Sequence, residues 1–397
     1  MTPNETEAWL RMAFAGLPAG RCRSALVHWN GPEALLQAAR DGHSGLATTP
    51  GLTDRAIERL REAATRDLAR QWEAMATHAI RIVSLESPDY PAPLKAIPDP
   101  PPYLFVRGTI VAEDEVAIAI VGTRKITEYG KGVAHKLAAD FGQRGVTVVS
   151  GLARGIDTAA HRGALDAGGR TIAVTACGLD IVYPSDNREL MAQIEASGTV
   201  VSEWPPTVHP ESWHFPARNR IISGLAAGVV VVEAAEKSGA LITADFALEQ
   251  GREVFAVPGN IHKVQSRGPH NLIKLGASLV ESADDIMSVL NMRSLPFEPS
   301  LPLELPEEKV AGPKKAPVRA GKSLPGKPEP GLDGPRPDFS PAENRIWLVL
   351  DVEPRHIDDI AAEAGFSAAE TNAALVMLEL KGSSRRLPGN LFARTVK

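Results

Sequence analysis

Five short strings of small, basic and aromatic residues, each following an apolar run, hold most of the chemistry in this chain. The first is Val121-Gly122-Thr123-Arg124-Lys125, and the second is Ser150-Gly151-Leu152-Ala153-Arg154-Gly155-Ile156-Asp157, with His161 one turn further on. Glycines let a backbone approach a ligand closely, and a guanidinium above a helix N-terminus suits a phosphate. A dinucleotide site wants Gly-x-Gly-x-x-Gly after its first strand and an acidic residue after its second. Here Thr123 and Arg124 take the first place and Ser150 closes the second run, so a phosphate held in the open, as along a polymer backbone, fits better. An Arg paired with a carboxylate at a sheet edge fits the Gly122 string as well.

The third string is Ala176-Cys177-Gly178-Leu179-Asp180, followed by Tyr183-Pro184 and Asn187. The fourth joins Trp204-Pro205-Pro206 to Trp213-His214-Phe215-Pro216-Ala217-Arg218-Asn219-Arg220. Aromatics beside arginines offer flat faces for bases and cations for phosphates, which is what a single strand requires. Trp204 is the exception, expected to cover the sheet edge. The fifth, Ser238-Gly239-Ala240-Leu241-Ile242-Thr243, is a small-residue turn into a helix and thus another anion site. Asp157 and His161 could form a dyad, but no Ser or Cys nucleophile stands at an elbow, so a helix cap and a packed imidazole are expected and no catalytic residue is assigned.

These strings need strands behind them and helices ahead. Apolar runs at Val116–Val121, Val146–Val149, Thr171–Thr175, Thr199–Ser202, Val229–Val232 and Glu253–Val257 alternate with helical stretches, the pattern of a mostly parallel sheet covered on both faces. The strings then lie at the carboxyl ends of the strands, where open sheets bind ligands. Residues 1–80 read as a small helical domain of the SAM or helix-hairpin-helix kind, with Thr53 capping a helix that carries Ile57, Leu60, Ala64 and Leu68 on one face. Pro88–Pro102 reads as a connector without regular structure. The α/β domain spans 85–290, a linker with eleven prolines spans 291–338, and Ser340-Pro341-Ala342-Glu343 opens a winged-helix module over 339–397 whose wing is Arg385–Arg394.

Composition narrows the class. With 44% hydrophobic and 23% charged residues the 397-residue chain is globular, and no apolar run reaches the length of a membrane span. No signal-like start is present, so a cytoplasmic protein is expected. Two cysteines, Cys22 and Cys177, exclude a disulfide framework or a cysteine-rich zinc site, and neither metal nor cofactor is expected. The net charge of −5 conceals a basic stretch, since residues 122–170 hold eight Lys/Arg against four Asp/Glu, a local +4.

Taken together the strings, with Val257-Pro258-Gly259, resemble in order and spacing the DNA-processing protein A (DprA) family over residues 85–290. The resemblance implies an extended Rossmann-like fold without catalytic turnover that binds single-stranded DNA during natural transformation. It also implies a homodimer through the Rossmann-like domain and delivery of the strand to the RecA recombinase. DNA contact then falls on Gly122, Thr123, Arg124, Lys125, Gly151, Arg154, Gly155, Phe215, Arg218, Asn219, Arg220, Ser238, Gly239 and Thr243. Ala176 departs from the family's usual Gly, which matters if the turn there needs a positive φ. Two other classes remain open. A hydrolase of the lysine-decarboxylase-like Rossmann group would need a Pro-Gly-Gly-x-Gly-Thr-x-x-Glu loop, which is absent, and a winged-helix regulator would bind duplex DNA.

Overall fold

The structure, a computed structural model, describes residues 2–291, 339–350, 355–381, 383–387 and 391–394. The described residues up to Asn291 form one compact unit and those from Phe339 a second. The expected linker falls almost wholly on 292–338, outside the described residues.

The first unit opens with five helices, α1 (Pro3–Ala15), α2 (Ala19–Trp29), α3 (Pro32–Asp41), α4 (Asp54–Thr65) and α5 (Ala69–Thr77). Thr53 caps α4 by accepting the Ala56 N–H, and Ile57, Leu60 and Ala64 are buried on its inner face. Part of this bundle has its own core around Met12, Leu35 and Leu60. Leu10, Leu68 and Met75, however, share a core with Ile82, Phe105, Leu179 and Leu190, so the helices pack directly on the sheet.

Strand β1 (Arg81–Ser84) follows at once, then a short α6 (Ala92–Lys95) and β2 (Tyr103–Gly108). The expectation of an unstructured connector is corrected here. Within Pro88–Pro102 the one regular element is α6, where Pro93 takes an early helical position at which its missing donor costs nothing. Just beyond it Tyr103-Leu104-Phe105-Val106 is a buried run that pairs with β1 and with a strand nearly a hundred residues on. The sheet therefore begins at Arg81, four residues before the expected domain boundary.

The expected strands follow as β3 (Ala117–Val121), β4 (Thr147–Ser150), β5 (Thr171–Val174), β6 (Thr199–Ser202), β7 (Gly228–Val231) and β8 (Glu253–Ala256), with a two-residue β9 (Ser278–Leu279). Between them lie α7 (Glu128–Gly142), α8 (Ile156–Asp166), α9 (Arg188–Ser197), α10 (His214–Gly224), α11 (Gly239–Glu249) and α12 (Arg267–Lys274), and α13 (Ala283–Val289) ends the unit. The nine strands are ordered β1-β2-β6-β5-β4-β3-β7-β8-β9. All neighbours from β6 to β9 are parallel, and β1 and β2 add an antiparallel edge. On β3, Ala117, Ala119 and Val121 enter one core while Ile118 and Ile120 enter the other, the period of two expected of a strand covered twice. Full burial of Ile118 and Ile120 contributes roughly 1.5–3 kcal/mol each.

Strand order reverses between β3 and β7. Connections from β3 run to one side and those from β7 to the other, so the loops leaving the two strands part and open a crevice at the carboxyl edge.

The second unit has α14 (Pro341–Val349), β10 (Arg355–His356), α15 (Ile357–Ala364), α16 (Ala368–Leu380), β11 (Ser384–Leu387) and β12 (Leu391–Arg394), with the sheet order β10-β12-β11. Ser340 and Glu343 make the expected capping box, and β11 pairs antiparallel with β12 as the wing. Of the basic residues near its end, Lys381 is ion-paired to Glu343 and Arg394 lies over the Trp347 ring.

Candidate nucleic-acid interface

The crevice is a cleft of about 700 Å³, lined by residues of the Gly122, Gly151, Phe215 and Ser238 strings. Its first wall follows from close packing. A Cβ at Gly122 would lie 2.5 Å from Ile156 Cγ1 and 2.8 Å from the Glu233 carbonyl oxygen, so only glycine lets the chain leave β3 here. Thr123 then donates its N–H to the Glu233 carbonyl (2.7 Å) and accepts the Ile156 N–H (3.2 Å). Gly155, at φ +87°, holds its Cα beside Arg124, where a Cβ would come within 2.9 Å of the Arg124 Cα. Three loops are thus stitched into one frame.

At the mouth, Arg124 is exposed and its guanidinium lies 4.9 Å from the Phe215 ring centroid. Phe215 is half-buried and meets Tyr183 at 5.7 Å between centroids, with Tyr183 itself exposed. Lys125 is exposed beside Arg124. Arg154 is exposed and bonded through Nε to Asp186 at 2.8 Å, a pair with both side chains about 60% accessible and hence weak. That hydrogen bond raises the Arg154 pKa and lowers that of Asp186. A cation stacked on one ring of an aromatic pair at an open rim can take a phosphate on its edge while the rings take a base.

The far wall is the start of α11. Ser238 is its N-cap and accepts the Ala240 N–H, and Asn219 donates Nδ2 to the Gly239 carbonyl at 3.1 Å, steadying the turn. Gly239 is exposed, while Thr243 is buried one turn below.

Two expected contacts are corrected. Arg218 is only 4% exposed and donates Nη1 to the carbonyls of Gly151 (2.7 Å) and Val174, so its guanidinium lies beneath the second loop rather than on it. Burial pushes its pKa down to about 10, with Asp157 opposing the shift, and it stays cationic at neutral pH. Arg220 sits two positions on, about 200° around the helix, and both Glu203 oxygens accept from its Nη2 at 2.6 and 2.7 Å. Burial raises the Glu203 pKa, and the Arg220 charge opposes it. Both arginines thus make hydrogen bonds inside the protein, with Arg218 at the floor of the cleft rather than at its rim.

One further expectation changes and others hold. Asp157 is not the cap of α8, since Gly155 holds that place, and its buried carboxylate instead accepts the Ala153 N–H. Burial raises its pKa against the charge of Arg218. His161 is fully buried with Nδ1 2.7 Å from Thr171 Oγ1, so the Asp157–His161 dyad does not form. Burial, helped by Arg218, drives its pKa down to about 3. Leu152 takes a left-handed φ of +56° with its side chain buried, and Asn187 Nδ2 donates to its carbonyl at 2.9 Å. Trp204 is buried against His214 as expected. Cys177 is buried, with its thiol pushed up to about 12. Ala176 needs no positive φ, and its carbonyl lies 3.1 Å from His214 Nδ1. The sequence reading missed two residues, Tyr183 at the rim and Glu233 behind the first loop. The charge ending the apolar run Val229–Val232 was the visible signal for Glu233.

A reversed strand order with a cleft at the switch point defines an open, doubly wound α/β protein of the Rossmann type. Residues 81–291 match the family model of DNA recombination-mediator protein A, and residues 328–390 match the DprA winged helix domain. The DNA processing protein DprA of Bacillus subtilis is 41% identical over 276 residues, covering 67% of this chain and 93% of that one. Protein Smf of Escherichia coli is 36% identical over 388 residues, 97% of this chain and 95% of its own. The X-ray structure of DprA from Streptococcus pneumoniae superposes with a TM-score of 0.62 at 35% identity, covering 72% of this chain and 98% of that chain. The chain belongs to the DprA/Smf family of DNA-processing proteins. Among the described residues no helix is long and apolar enough to cross a membrane.

Proposed function

We propose that this protein binds single-stranded DNA without strong sequence preference at the mouth of the cleft, and does so without chemical turnover. Arg124, Lys125 and Arg154 take phosphates, Phe215 and Tyr183 stack bases, and the first turn of α11 offers its N–H groups to a further phosphate. The stacking of Arg124 on Phe215 beside Tyr183, at the switch point of the sheet, carries the reading. Membership of a DNA-processing family supports it. In the cell the same surface protects incoming DNA during transformation and presents it to RecA in the cytoplasm, with the protein acting as a homodimer through its Rossmann-like unit.

The test is the salt dependence of oligo(dT) binding by the full chain. Each phosphate contact on a single strand contributes about 0.7 to the slope of log K against log salt. Arg124→Ala should flatten the slope by about that amount and weaken binding most at low salt. An unchanged slope removes the Gly122 loop from the interface and the reading with it.

A further inference from the structure

At the first turn of a dinucleotide-binding Rossmann fold, the N-terminus of the following helix faces a ligand phosphate. In this chain that helix end is already occupied from within. Glu233, the residue after Val232 at the end of β7, is 4% exposed, and its carboxylate reaches across the switch point to Thr127, the N-cap of α7. It accepts the Thr127 N–H at 3.0 Å and the Thr127 hydroxyl. The same hydroxyl oxygen accepts the Gly130 N–H at 3.1 Å, so cap and carboxylate form one network at the helix end. Gly130 lies flat against the carboxylate, and a Cβ there would collide with it. The carbonyl of Glu233 meanwhile accepts the Thr123 N–H at 2.7 Å. Glu233 thus grips both ends of the segment Thr123–Thr127, by its main chain at the start and its side chain at the finish. Arg124 and Lys125 lie between the two grips.

We infer that Glu233 is a positioning residue for the nucleic-acid site, an internal carboxylate standing where a ligand phosphate would sit. By filling the α7 N-terminus it closes that place to a free nucleotide and fixes the loop that presents Arg124 at the rim. The negative charge matters as well as the shape, because the positive end of the helix dipole and two donors converge on it. In Glu233→Gln the charge is lost and one oxygen becomes an NH2 group, so the bond to the Thr127 hydroxyl must reverse its direction and both contacts lose their charge assistance. The inference rests on the DNA-binding reading above.

A double-mutant cycle on oligo(dT) affinity, with wild type, Arg124→Ala, Glu233→Gln and the double variant of the full chain, tests it. Glu233→Gln should weaken binding about tenfold, as expected for losing one charge-assisted contact, and flatten the salt slope about as much as Arg124→Ala does. In the Arg124→Ala background its further effect should be much smaller than tenfold, limited to what Lys125 of the same loop contributes. Multiplicative losses would mean that Glu233 acts independently of Arg124, and wild-type affinity in Glu233→Gln would mean that the grip is not needed. Either outcome overturns the inference. Should Glu233→Gln fail to fold, Gly130→Ala, which displaces the carboxylate while keeping its charge, should show the same coupling to Arg124. If Arg124→Ala itself binds like wild type, the DNA-binding reading fails instead.

Discussion

Replacing Arg218 separates a surface contact from an interior brace. Its guanidinium, 4% exposed, bonds the carbonyls of Gly151 and Val174 and is the buried cation nearest in effect to Asp157. In Arg218→Ala two carbonyls lose their donor, at roughly 1.5–3 kcal/mol for each bond to a charged group, and Asp157 keeps its burial without its countercharge. Removing one member of a buried charged set typically costs about 3–5 kcal/mol, a large fraction of the roughly 5–15 kcal/mol that holds a domain folded. Urea unfolding followed by far-UV circular dichroism should show a midpoint lowered accordingly. Arg218→Lys, which keeps a charge but not the fork, should recover only part of the loss. Without Arg218 the Asp157 pKa should rise further, so the folded variant holds its proton more firmly and the deficit should narrow toward acid pH. If Arg218→Ala unfolds at the wild-type urea concentration and merely flattens the salt slope by about 0.7, Arg218 is a phosphate ligand and the interior assignment is wrong.

Three further outcomes are expected. Phe215→Ala and Tyr183→Ala should each weaken oligo(dT) binding by about 1–3 kcal/mol at every salt concentration and leave the slope unchanged, whereas wild-type affinity would make these rings packing residues only. Gly155→Ala forces a side chain into a φ of +87° against Arg124, so it should cost roughly 1–3 kcal/mol in thermal unfolding and lower DNA affinity, and a neutral result would contradict the stitched loops. His161, with a folded pKa of about 3 against an ordinary 6.5, binds its proton only when unfolded between those values. Its neutral burial therefore stabilises fully above pH 6.5 and is lost as pH falls toward 3, by at most about 1.4 kcal/mol per pH unit. His161→Asn should remove that slope from urea midpoints measured between pH 4 and 6.5, and an unchanged profile would assign the acid loss elsewhere.

The parallel strands were legible because burial on both faces leaves unbroken β-branched runs, as in Val146–Val149 and Val229–Val232. Strands β1 and β2 were not, since β1 has only two apolar residues between Arg81 and Ser84, β2 follows three prolines, and β2 owes its place to pairing with a distant partner. The loop strings were also legible, because turns at a sheet edge demand small residues regardless of context. Which arginine faces outward was harder to see. Arg218 and Arg220 share one string, and only the phase of α10 sends them to opposite sides, one under the Gly151 loop and the other to Glu203. Glu233 was hidden for another reason, since its partner Thr127 lies 106 residues away and no local pattern links them.

Arg154 differs from its neighbours at the rim in arriving with an anion already attached. A phosphate that takes this guanidinium must displace the carboxylate of Asp186 and replace its 2.8 Å bond, while the cation condensed on that phosphate is released as at any other contact. Asp186 is in this sense a built-in counterion. In the proposed complex its displacement offsets part of what a phosphate gains at Arg154, so that contact adds less affinity than one at Arg124.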